Sequence, residues 1–290
     1  MKKLFLTFIV ALAAFSLSYA QALYEEAEAH PAAPSVPAYV VFAGDTVRFD
    51  RPDFYERMDR ELISFTYMHT NTTLMLKRSQ RYFTIVEPIL REQGVPEDFK
   101  YLMAIESNLD PKALSSAGAA GLWQIMKSTG QSHGLEANSE VDERYNVEKE
   151  TVAACEYFKE AYGKFGDWIT AAASYNAGQN GIARRLESQR QDTALELWMP
   201  EETMRYIFRL LAAKMLFEDP SAFGFDIGRE DMYPYIPPRK TVTVSGPIPS
   251  LVDFAEEHGT TYKLLKEANL WLRSDKLTNK SGRTYSIAIP

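Results

Sequence analysis

Apolar residues recur at helical spacing through most of this chain, and near the C-terminus the pattern changes to alternation. A first helix is predicted near Pro52–Phe65. A second, from Asn71 to Gln93, carries Leu74, Leu76, Tyr82, Phe83, Val86 and Leu90, with Pro88 placed to kink or divide it. The next helix spans 96–107, with Pro96 at its first position and Glu97 and Asp98 behind it. A small-residue loop, Leu114 to Ala120, leads to a short helix beginning near Gly121. Glu148 to Lys164 then forms a long helix with Val152, Cys155, Phe158 and Tyr162 inward. Asp167 caps a helix that carries Trp168, Ile169 and Ala171–Ala173 and closes at Asn176-Ala177-Gly178. Glu201 to Phe217 is a further helix, entered through Pro200. Between Phe223 and Pro238 the composition turns to Gly, Pro and Tyr, as in a linker. Beyond it, Lys240–Val244 and Thr284–Ile289 read as strands around two short helices, Ser250–His258 and Tyr262–Ala268. The predicted fold is mainly α: a helical domain over 50–222, a linker over 223–238, and a small α+β module of βααβ order over 239–290.

One position breaks the apolar pattern in an informative way. Phe99, Leu102 and Met103 form a stripe whose next member is Glu106. A carboxylate on an apolar face is costly to ionise, so its pKa should rise, and a general acid working near neutral pH needs that property. A buried glutamate paired with an arginine, or one at the core's edge, would give the same pattern.

With 290 residues and 46% hydrophobic content, the chain can build one good core and a small second module. Lys2 and Lys3 precede an apolar run from Leu4 to Leu17, and Ser18-Tyr19-Ala20 supplies small residues for cleavage. Residues 1–20 thus read as a secretory signal, too short and wrongly flanked for a membrane span. Residues 21–49, rich at first in Ala, Glu and Pro, read as a flexible leader. No other segment is long and apolar enough to span a bilayer, so no span is expected in the mature chain. A single cysteine, Cys155, excludes an intramolecular disulfide and reads as a small core residue. The net charge of −7 argues against nucleic acid as a partner. His30, His69, His133 and His258 lack ligand spacing, so neither a metal nor another cofactor is expected.

Three short motifs follow in order: Glu106-Ser107, then Gly121-Leu122-Trp123-Gln124-Ile125, then Tyr175-Asn176-Ala177-Gly178. Each alone is weak. Together, and with Asn108-Leu109-Asp110-Pro111, Ser128-Thr129-Gly130 and Gly166-Asp167-Trp168, the chain resembles the lytic transglycosylase domain of the goose-type lysozyme superfamily. The likeness covers roughly 76–217 and looks most like the membrane-bound murein transglycosylase D type. The pieces Leu251-Val252-Asp253-Phe254-Ala255, Leu264–Asn269 and Tyr285–Pro290 resemble a LysM carbohydrate-binding module, although Gly246-Pro247-Ile248-Pro249 stands where Gly-Asp-Thr-Leu is usual. Glycan binding and simple docking on the helical domain are both open to such a module. No cysteine near the cleavage site could take the lipid that some members of this type carry.

The resemblance implies a lysozyme-like helical fold and a periplasmic enzyme acting on peptidoglycan glycan strands, with other cell-envelope proteins as candidate partners. It implies cleavage of the β-1,4 bond between N-acetylmuramic acid and N-acetylglucosamine, and closure of a 1,6-anhydromuramoyl end, so the reaction is a lyase's. Glu106 is then the sole acid/base. Ser107 would hydrogen-bond the glutamate or the substrate, and Gln124 would meet sugar acetamido or hydroxyl groups. Tyr175 would hold Glu106 through its phenol, with Asn176 closing the helix beside the substrate. Tyr206, within Glu202-Thr203-Met204-Arg205-Tyr206, matches a position near the cleft. Trp123 could stack on sugar or fill the core. Asp110 and Asp167 occupy loop and cap positions that mark neither as a water-activating base. Two rival readings are a muramidase that uses water and a cell-wall binding protein whose catalytic fold has retired.

Overall fold

The computed structural model describes residues 33–290. The signal segment 1–20 and the leader up to residue 32 lie outside the described residues. The remainder of the leader departs from expectation. Tyr39–Phe42 (β1) and Asp45–Arg48 (β2) pair antiparallel, with Val40, Phe42 and Val47 buried. Ala43 and Gly44 turn the chain with φ of 53° and 94°, the left-handed pair that a two-residue hairpin loop requires. The Ala43 amide donates to Asp98 Oδ2 at 2.8 Å, which fixes the hairpin to the helical domain. The Pro- and Ala-rich composition just upstream masks the short in/out alternation that makes this hairpin.

Helix α1 (Pro52–Tyr67) and α2 (His69–Gln93) follow. Pro88 lies inside an unbroken α2, so it does not divide the helix. Helix α3 runs from Phe99 to Ser107, three residues later than Pro96 suggests. The amides of Phe99, Lys100 and Tyr101 reach back only three residues, to Pro96, Glu97 and Asp98, so the entry is a tight 3₁₀ turn. Gly121–Gln124 is a turn and begins no helix. Helix α4 comes later, at Lys127–Ser132.

Helix α5 (Val147–Phe165) buries Cys155 and Phe158 as expected, while Tyr162 is 39% exposed and stacks on Trp168 at 4.1 Å. The Asp167 carboxylate accepts from the Thr170 amide at 2.9 Å and starts α6 (Trp168–Ala177). Helices α7 (Gln179–Gln189) and α8 (Glu201–Glu218) complete the helical domain. The chain then returns along α2: the Tyr233 amide donates to Lys77 O, and Arg81 Nε to Pro234 O.

Strand β3 (Lys240–Val244), α9 (Leu251–Glu257), α10 (Tyr262–Ala268) and β4 (Tyr285–Ile289) form the terminal module, with β3 and β4 antiparallel. The predicted class holds: mainly α, ending in a βααβ unit. This unit does not keep its core to itself. Ala120, Val141 and Tyr145 of the helical domain pack into the same cluster as Leu251, Leu265, Trp271 and Ile287. Backbone bonds join them as well, from Asp142 N to Trp271 O and from Arg273 N to Glu140 O. Among the described residues no helix is long and apolar enough to cross a membrane.

Candidate active site

Helix α3 places Glu106 where its apolar stripe ends. Phe99, Leu102 and Met103 are fully buried below it, and α8 packs across it. Glu106 opens into a cleft of about 360 Å³ lined also by Ile105, Asn176, Glu201, Glu202, Arg205, Tyr206 and Arg209. Its carboxyl keeps some contact with solvent through the cleft but is otherwise surrounded by protein. That burial, chiefly, pushes its pKa up to about 7. The Tyr206 hydroxyl donates to Glu106 Oε1 at 2.5 Å and opposes the rise; the charge of Glu202 adds to it, and that of Arg209 subtracts. Tyr206 is buried, and its phenol is raised well above the ordinary tyrosine range by that burial and by Glu106. It is therefore a neutral donor held against the carboxyl.

The other predicted residues divide. Asn176 lines the cleft and accepts from Thr203 Oγ1 at 2.9 Å. Tyr175 does not hold Glu106: its hydroxyl donates to the Trp123 carbonyl at 2.7 Å, and the bond expected of it is made by Tyr206. Both phenols lie close enough to feel the Glu106 charge, so order along the chain could not tell which would bind it. The Ser107 hydroxyl turns back to Met103 O at 3.3 Å, as a buried hydroxyl on a helix commonly does. Gln124 sits at φ 50°, and its side-chain amide donates to Gly121 O and Ala113 O, so in this conformation it braces its own turn. Trp123 is fully buried, with its indole N–H on Thr151 Oγ1, which settles it as core.

Behind that turn stands Glu150, which the motifs passed over. It is fully buried, and Oε2 accepts from the Trp123 amide at 3.1 Å. Burial pushes this carboxyl well above the usual range. A Cβ on Gly121 would fall 1.8 Å from Arg144 O and 2.3 Å from Glu150 Oε2, so only glycine fits there. Asp110 and Asp167 bind backbone amides and do not line the cleft. The carboxylates that share the cleft with Glu106 are Glu201 and Glu202, and Glu202, Tyr206 and Arg209 recur at i, i+4 and i+7 on α8. A helical-wheel reading around Tyr206 could have found them. A larger cavity of about 670 Å³, between Ile85, Ile89, His133, Lys149, Val152 and Arg283, contains no motif residue.

Residues 84–197 match the family described as transglycosylase SLT domain, and residues 240–290 match the soluble lytic transglycosylase C-terminal LysM-like domain. The chain is 26% identical, over 257 residues, to membrane-bound lytic murein transglycosylase D of Escherichia coli K12, covering 86% of this chain and 55% of that protein. It is 29% identical over 190 residues to membrane-bound lytic murein transglycosylase F of Marinobacter nauticus, covering 61% of this chain and 35% of the relative. The chain thus spans about half the length, or less, of these curated relatives. Among solved structures, the 70 kDa soluble lytic transglycosylase SLT70 of Escherichia coli aligns at 16% identity and a TM-score of 0.44, over 62% of this chain and 33% of that one. On the family and sequence matches, the chain carries a transglycosylase SLT domain followed by a C-terminal LysM-like domain, and is homologous to membrane-bound lytic murein transglycosylase D.

Proposed function

We propose that this protein is a peptidoglycan lytic transglycosylase in which Glu106 is the single acid/base. The observation that carries this reading is a carboxyl raised to about 7, in a cleft, with a neutral phenol donating to it. In its protonated form Glu106 gives its proton to the glycosidic oxygen as the bond to C1 of N-acetylmuramic acid breaks. The charge that develops at C1 is oxocarbenium-like, and the substrate's own N-acetyl oxygen can meet it. The carboxylate left behind then takes the proton of the muramic acid C6 hydroxyl as that oxygen attacks C1, closing the 1,6-anhydro ring. One group serves both steps, because a pKa near the working pH permits donation and acceptance alike. Tyr206 steadies the anionic form between the two steps. Ser107, Gln124 and Tyr175 support this arrangement through the backbone that carries the cleft, and Asn176 lines the substrate's path.

A helical domain over 50–222 extended by the hairpin 39–48, a terminal module over 239–290, secretion of the chain to the periplasm through the segment 1–20, and glycan binding by the terminal module are parts of the same proposal. Digesting purified sacculi with wild type and with Glu106→Gln tests its centre. Mass spectrometry should find anhydro-ended muropeptides with the wild type and none with the variant; undiminished release by Glu106→Gln would overturn the assignment. A second reading, hydrolysis by water, draws on Glu202 as the carboxylate sharing the cleft. It would give reducing ends, which the same spectra distinguish.

A further inference from the structure

Glu61, on α1, lies outside the matched transglycosylase segment and has no place in the chemistry above, yet its side chain is only 1% exposed. A buried carboxylate persists when cations hold it. Two do: Arg205 Nε donates to Oε1 at 2.7 Å and Arg209 Nε to Oε2 at 3.2 Å. One arginine would balance the charge, so the second leaves the trio with a net positive charge. Both arginines line the cleft beside Glu106. Each spends only its Nε on Glu61, and among the described residues their terminal nitrogens have no hydrogen-bond partner. Being i and i+4 on α8, their Cβ atoms lie about 5–6 Å apart, a spacing that lets two forks converge on one small planar anion. Of the cleft's other acids, Glu201 is engaged by Arg57 and Arg60, and Glu202 is not within ion-pair distance of Arg205 or Arg209. The two forks are prepared for an anion from outside.

We propose that Arg205 and Arg209, oriented by Glu61, form a carboxylate-binding site that takes an acid group of the lactyl-peptide branch beside the sugar being cleaved. This rests on the transglycosylase reading, because that branch is what a peptidoglycan strand carries and an uncharged glycan lacks. Two sources share the chemistry: a stem-peptide carboxylate on intact strands, and the lactyl carboxylate exposed when the peptide is removed. Arg205 and Arg209 bind substrate in this proposal, and Glu61 is a positioning residue.

The test compares wild type, Arg205→Gln and Arg209→Gln on three substrates: intact strands, amidase-stripped strands, and intact strands with their carboxyls converted to amides. The expected result is a KM raised about 10-fold or more in the variants on carboxylate-bearing strands, with no such rise on amidated strands. A rise on intact strands assigns the stem carboxylate, and a rise confined to stripped strands assigns the lactyl one. Equal losses on all three substrates, or none on any, would sink the proposal. If a glutamine variant fails to fold, Arg205→Lys keeps a cation near Glu61 but loses the fork, and should show the same substrate-dependent rise. Calorimetric binding of a soluble muropeptide and its amidated form to wild type and Arg205→Lys gives the answer without turnover. A wild type that releases no anhydro ends defeats the reaction assigned to Glu106. A wild type that does, with variants whose KM matches its own on both intact and stripped strands, defeats only the carboxylate site.

Discussion

Glu106 titrates near neutrality because burial disfavours its charge more than the Tyr206 hydrogen bond favours it. The acid form is needed for the first step, so kcat/KM should fall as pH rises through about 7, measured on soluble strands. Tyr206→Phe removes the donor that stabilises the carboxylate. Its alkaline limb should therefore move to higher pH, with a lower maximal rate; an unmoved limb would show that the phenol does not set this acidity. The same shift has a consequence for stability. The folded carboxyl binds its proton more tightly than the unfolded one, whose pKa is 4.5, so stability is present below that value and lost as pH rises toward 7. Glu106→Gln should then melt higher than wild type at pH 8 and nearly level with it at pH 4. How far the residues could be read in advance follows from the same physics. Glu106 was legible because a charge on an apolar stripe breaks a period. Its partner was not, since Tyr175 and Tyr206 are both aromatic residues on helices near it, and only the packing of α8 on α3 selects the second.

At the scale of elements, the turn Gly121–Gln124 shows how local constraint serves the cleft. Gly121 has φ 81° and touches the Arg144 carbonyl, while Glu150 holds the Trp123 amide from below. Gly121→Ala should cost about 2–4 kcal/mol, combining a positive-φ penalty with overpacking, as read from urea denaturation. A loss below about 1 kcal/mol would mean that the turn relaxes around the methyl group. Helix α6, which carries Tyr175 and Asn176, begins on the Asp167 side chain. Asp167→Ala should cost about 1 kcal/mol, seen as a lower melting temperature with the Glu106 pH profile unchanged. Most helices were legible from their apolar spacing and caps. The hairpin 39–48 and the Gly121 turn were missed for a common reason: each is too short to show a period, and each is fixed by contacts with residues far along the chain.

In the whole molecule, the terminal βααβ unit docks through residues 136–145, and its core includes Val141 and Tyr145 of the helical domain. Thr278 holds Glu140 through both its amide and its hydroxyl, and Tyr285 donates to Glu136 Oε2. Removing residues 239–290 would expose that surface. The truncated protein should unfold at a lower temperature than the full chain in calorimetry, even where Glu106 and Tyr206 are untouched. An unchanged melting temperature would mean that the two units are thermodynamically independent despite their shared cluster.

By itself the sequence determined the helical class, the βααβ ending, the order of the three motifs and the out-of-pattern glutamate, because each is written in local spacing. The tertiary structure alone decided which phenol touches Glu106, which acids and arginines share its cleft, and that Glu61 stands behind them. Those relations join side chains about a hundred or more positions apart along the chain. No period within a helix encodes them; the way the helices pack does.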